Sequence, residues 1–170
     1  MDNPGFLIDY HLWAHKKVLR QLADLNAEDW NKNTGGSFAS LKALYQHLLE
    51  ADYRWLQRWK GVPFADIPPH FVVDGYGSLE TLWLPQLDEM QTVAGQFVAT
   101  DAGQLVSFVT GKGLHVTQPW WQTLYQVVNH GTYHRGQVTN ALRILNKQPV
   151  GTDIFLFFLE QEKERGRVQR

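Results

Sequence analysis

The chain opens in a helical rhythm. Within residues 6–25, Leu7, Tyr10, Ala14, Val18, Leu22 and Leu25 recur every three or four positions, the period of an amphipathic helix with one buried face. Residues 26–36 are polar and end in a glycine pair, which predicts a loop. Ser37 is then placed to cap a second helix whose inward stripe is Leu41, Leu44, Leu48, Ala51 and Trp55. Gly61 and Pro63 end it. Residues 62–77 carry Pro63, Pro68, Pro69, Gly75 and Gly77 and read as a long connection. A third helix follows over 79–99, with Leu82, Leu87, Met90, Val93 and Phe97 inward. Pro85 falls in or near its first turns, where a proline is tolerated or introduces a kink.

Residues 104–118 break this rhythm. Leu105, Val106, Phe108 and Val109 precede Thr110-Gly111-Lys112-Gly113, and Leu114 and Val116 follow, the pattern of a short β-hairpin. Pro119 suits the first position of a fourth helix over 120–146, with Leu124, Val127, His134, Val138, Ala141 and Leu145 on one face. Pro149 and Gly151 end it, and a short apolar helix begins at Asp153. Four long helices of this kind predict an all-α chain, a single four-helix-bundle domain over 1–170. It carries a hairpin excursion before helix four and a short C-terminal helix. Ile154, Phe155, Leu156, Phe157, Phe158 and Leu159 are apolar all round, so the last helix either touches a second subunit or folds as a cap over the bundle end.

Composition narrows the function. The 170 residues include no Cys, which removes disulfides, thiolate ligands and a cysteine nucleophile. Sixteen basic and seventeen acidic residues leave no basic excess to track a phosphate backbone, so no nucleic-acid partner is expected. No segment is apolar for long enough to span a membrane, and the N-terminus lacks a basic start before a long apolar run. A cytoplasmic setting is the expectation.

The chemistry lies in Asn129-His130-Gly131-Thr132-Tyr133-His134-Arg135-Gly136-Gln137. His130 and His134 are one helical turn apart, on the face that carries Val127, Val138 and Ala141, so two ring nitrogens can converge on one ion. The bland alternative is a pair of core histidines satisfied by hydroxyls or carbonyls. Gly131 and Gly136 weaken a helix interior and so hint at close packing or room for a ligand. A third ligand must come from another helix. His47 is the best placed, beside the stripe of its own helix with Ala43, Leu44, Glu50, Ala51 and Arg54 as neighbours. Such a set leaves a coordination position open; an all-nitrogen donor set suits zinc, nickel, cobalt or ferrous iron without choosing among them, and zinc or nickel is the expectation.

Three stretches together resemble the DinB/YfiT-like superfamily over nearly the whole chain. They are Tyr10, Trp13 and Ala14 in the first helix, HLLEADYRW around His47, and HGTYHRGQ around His130 and His134. The resemblance implies an up-down-down-up four-helix bundle, often homodimeric, whose matching histidines His47, His130 and His134 bind a divalent metal. It also implies, for some members, transferase or isomerase activity with a small thiol cosubstrate. One departure is His15, where the family often shows Asn. His11 and His15 make a second one-turn pair, for which a partly exposed polar face beside Lys16 and Lys17 is the favoured reading and a metal role the lesser alternative.

Around the triad, Glu50 and Asp52 are the candidate proton-handling carboxylates, with charge pairing to Arg54 as the alternative for Glu50. Arg135 is expected to fix its helix through a carboxylate, and His70 and His115 to lie at the surface. The functional expectation is a divalent-metal-binding protein, an enzyme acting on a small electrophilic molecule by thiol transfer or hydrolysis. The alternative is a non-catalytic metal-binding structural or stress-response protein.

Overall fold

The computed structural model describes residues 4–167. They form helices α1 (Gly5–Leu22), α2 (Ala27–Asn31), α3 (Leu41–Trp59), α4 (Tyr76–Ser78), α5 (Leu84–Thr100), α6 (Trp120–Ile144) and α7 (Ile154–Glu164), with strands β1 (Leu105–Val109) and β2 (His115–Pro119) before α6. The chain is mostly helical, as its periodicity predicts. Among the four long helices, α1 and α3 each pack against both α5 and α6. Contacts run in opposite senses along α3 and α6. Trp59 donates its indole N–H to Thr123 Oγ1 at 2.8 Å near one end, and His47 meets His130 and His134 towards the other.

Several boundaries differ from the sequence reading, each for a local reason. The polar stretch after α1 is not all loop. Asn26 caps α2 by accepting from Asp29 N–H at 2.9 Å, and its own N–H donates to Asp29 Oδ2 at 3.4 Å, a capping box that seats Trp30 in the core. The cap of α3 is Ser40 rather than Ser37, its hydroxyl accepting from Ala43 N–H at 3.3 Å. Gly35 and Gly36, at φ +71° and +84°, hold the preceding chain in a left-handed turn that carries Phe38 towards the histidines.

Ahead of α5 the helix opens into a π-turn, Leu79–Trp83, in which Leu84 N–H bonds Leu79 C=O. Pro85 follows at once in the first turn of α5, so its missing donor breaks no ladder of that helix. The turn also buries Trp83, whose indole N–H donates to Asp52 Oδ2 at 2.9 Å.

β1 and β2 pair antiparallel from Leu105↔Pro119 to Val109↔His115, the expected hairpin. Phe108 packs against Trp55 at 5.2 Å between ring centres, which ties the hairpin to the Trp55 half of α3. In α7, Asp153 caps the first turn and Phe157 is buried between Tyr10 and Trp13. Glu160 accepts from Trp13 Nε1 at 2.7 Å. Phe155 and Phe158 stay exposed, so α7 buries one edge rather than its whole apolar surface. No helix among the described residues is long and apolar enough to cross a membrane.

Candidate metal centre

His47 reaches inward from α3, and His130 and His134 from α6. Their Nε2 atoms meet. His130 Nε2 lies 3.1 Å from His47 Nε2 and 3.1 Å from His134 Nε2, and one ligand nitrogen from each ring falls within 4.8 Å of the others. Three nitrogens bound to one tetrahedral ion at about 2.0–2.1 Å would stand roughly 3.3–3.4 Å apart, so a small adjustment of side chains fits an ion between them.

Proton bookkeeping favours such an ion. His134 Nδ1 lies 2.9 Å from Gln137 Oε1, an acceptor, so that nitrogen carries the proton and Nε2 presents a lone pair. His130 Nε2 faces two imidazole nitrogens and can donate to only one of them. A cation satisfies all three lone pairs at once. Gln137, three residues beyond His134, thus fixes the ring tautomer from outside the donor set. Gln137→Ala is expected to weaken zinc affinity about 10–100-fold, read by competition with a chromophoric chelator, with the helical circular dichroism unchanged.

Burial also keeps His47 and His130 neutral. His130 is lowered to about 4, by desolvation first and then by His134 and His47. Desolvation and His134 lower His47 too, against an opposing pull from Glu50. At neutral pH no proton competes for the ligand nitrogens of His47 and His130. The unfolded chain, with histidines near 6.5, takes up more protons than the folded one below that value. Metal-free protein is therefore expected to lose stability as pH falls from about 6.5 towards about 4, read as a falling urea midpoint.

Phe38 packs on His47 and His134, with ring centres 4.9 and 5.6 Å away, and Tyr133 sets its edge against His134 at 5.1 Å. Phe38, Tyr133 and Gln137 also line an adjoining cavity of about 320 Å³ between the 34–44 segment and α6. Thr34, Ser37, Ser40 and Asn140 add to its polar lining, and among the described residues neither a charged side chain nor one of the three histidines borders it.

The remaining site expectations separate. Glu50 is half-buried and accepts from Gln46 Nε2 at 2.8 Å and Arg54 Nη1 at 3.4 Å, the charge pairing weighed as its alternative. Asp52 is buried, bonded to Trp83, and stands 3.8 Å from His11 Nε2. His70 and His115 are exposed, as expected.

Two expectations are overturned. His11 and His15 do not lie on a polar face. They are 0% and 2% exposed, because α1 is covered on three sides by α5, α6 and α7. Arg135 is buried without a carboxylate in ion-pair range among the described residues. Its guanidinium donates to Tyr10 OH at 3.0 Å and Thr132 Oγ1 at 2.8 Å, and lies 3.2 Å from His15 Nε2. Gly131 explains how these groups fit. A Cβ there would come within 2.7 Å of His11 Cε1 and 2.8 Å of His15 Nε2.

Comparison with known proteins agrees with the motif reading. A model of the DinB family matches residues 1–166. The chain belongs to the DinB family. It is also 26% identical over 166 residues to Protein DinB of Bacillus subtilis (strain 168), a match that covers 92% of this chain and 95% of that protein. Family membership and the convergent histidines are both compatible with metal binding.

Proposed function

We propose that this DinB-family chain binds a divalent metal ion through His47, His130 and His134 and uses it on a small, uncharged electrophile, by thiol transfer or hydrolysis. The observation that carries the reading is the meeting of three Nε2 atoms from two helices, with His130 Nε2 3.1 Å from each of the others. A bound ion with an open position supplies Lewis acidity, lowering the pKa of a coordinated water or thiol into the neutral range.

The chain's own residues divide the remaining work. His134 holds its tautomer through Gln137, while burial keeps His47 and His130 unprotonated. Phe38 and Tyr133 wall one side of the centre and the neighbouring cavity. The uncharged lining of that cavity favours a neutral substrate that accepts or donates hydrogen bonds to Ser, Thr and amide groups. Glu50, the carboxylate with the larger influence on His47, takes up the released proton or passes it to solvent. Asp52, buried and held by Trp83, acts through charge and position rather than by contact with substrate. With no Cys in the chain, a thiol in the reaction comes from a free small molecule.

Turnover of a panel of small electrophiles, with and without a low-molecular-weight thiol, tests this in metal-loaded and chelator-treated protein. Product formation that requires the ion is expected. Turnover indifferent to metal removal rejects the metal-dependent role of the three histidines. A thermal stabilisation by metal with no turnover for any electrophile would favour the structural role instead.

A further inference from the structure

His11 and His15 stand one turn apart on α1, as His130 and His134 do on α6, and Asp52 reaches them from α3. All three are buried, at 0%, 2% and 2% exposure, and one ligand atom from each lies within 4.8 Å of the others. Both ring nitrogens of His11 are sealed from solvent and have no hydrogen-bond partner among the described residues. A neutral imidazole carries one donor and one acceptor, and each left unmet in the interior is costly. Asp52 Oδ2 is 3.8 Å from His11 Nε2, too far for a hydrogen bond. Two metal–ligand bonds of about 2.0–2.2 Å span that gap.

We infer that His11, His15 and Asp52 form a second divalent-cation site with two imidazole nitrogens and one carboxylate oxygen, separate from the three-histidine centre. The two groups lie on adjacent faces of α6. His130 and His134 face one, while Gly131 and Arg135, each one position later, face the other. Gly131 keeps that second face bare, since a methyl group there would strike both His11 and His15. Trp83 donates to Asp52 Oδ2 and fixes the carboxylate from outside the donor set.

Arg135 limits the affinity. Its Nη1, 3.2 Å from His15 Nε2, occupies the lone pair an ion would take, and its positive charge opposes a second cation. On loading, the guanidinium keeps Tyr10 OH and Thr132 Oγ1 as acceptors and gives up His15. The second site therefore fills after the first. A set of two histidines and one carboxylate serves zinc and, with open positions, ferrous iron.

Equilibrium dialysis against zinc, followed by elemental analysis, tests this in wild type, His11→Asn and the double variant His130→Ala/His134→Ala. Two zinc ions per wild-type chain are expected, falling to about one in each variant, with circular dichroism confirming folded protein. A wild-type count of one that vanishes in the double variant and persists in His11→Asn overturns the second site and spares the first. A count that persists in the double variant and vanishes in His11→Asn supports the second site and removes the first. Should His11→Asn not fold, the double variant decides alone: a retained ion supports the inference, and none overturns it.

Discussion

Alanine at position 134 is expected to weaken zinc binding at the three-histidine centre by at least about 100-fold, since removing a ligand costs no less than removing the partner that orients one. Two losses combine. The ion drops from three protein donors to two, both on half-buried rings, and Gln137 loses the imidazole it holds. His130 would keep His47 as a neighbour at 3.1 Å, so a residual weak affinity shared by those two rings is consistent. His134 is buried, so some loss of stability accompanies the change. Affinity measured by chelator competition, on protein whose helical circular dichroism matches wild type, separates the two effects. A zinc affinity within about 3-fold of wild type at this centre would remove His134 from the ligand set.

The second large effect concerns a glycine. In an ordinary helix interior, Gly→Ala stabilises by about 0.5–1 kcal/mol through backbone entropy. At Gly131 the sign reverses. The new Cβ would stand 2.7, 2.8 and 2.9 Å from His11 Cε1, His15 Nε2 and His11 Nδ1. These rings are flat, stiff and enclosed, so they yield only by moving α1 away from α6. Overpacking of this kind costs about 1–3 kcal/mol, leaving Gly131→Ala destabilised by up to about 2.5 kcal/mol after the entropic gain. Gly136, five residues on, has nothing within 4 Å of its Cβ position and supplies the contrast. Gly136→Ala is expected to stabilise by about 0.5–1 kcal/mol. Urea unfolding of the two variants beside wild type checks both signs.

How far the sequence shows these features depends on whether each is local. The one-turn spacing of His130 and His134 and their shared face follow from helix geometry alone. That His47 belongs with them follows less directly. Its position beside an apolar stripe shows that it can face inward, while the packing of α3 against α6 decides what it meets. The hairpin was legible because glycines punctuate a short run of β-formers, and α7 because Asp153 precedes it. Pro85 marked the disturbed start of α5 without revealing a π-turn.

The misread segments each have a physical cause. Lys16 and Lys17 drew His15 towards the surface, yet ten residues of α1 are buried, a wider arc than one amphipathic stripe allows. Neighbours on three sides produce that arc, and no local pattern reports them. Sequence alone pairs Arg135 with a carboxylate, whereas it meets a phenol, a hydroxyl and an imidazole supplied by α1 and its own helix. Asn26 and Asp29 held an N-cap signal for α2 that the polarity of the stretch obscured.

An anomalous difference map at the zinc edge, from crystals grown with zinc, tests the metal centre most directly. A peak about 2.0–2.1 Å from the Nε2 atoms of His47, His130 and His134 is the expected result. Density showing the three rings hydrogen-bonded to one another or to solvent, with no anomalous peak between them at saturating zinc, would contradict it.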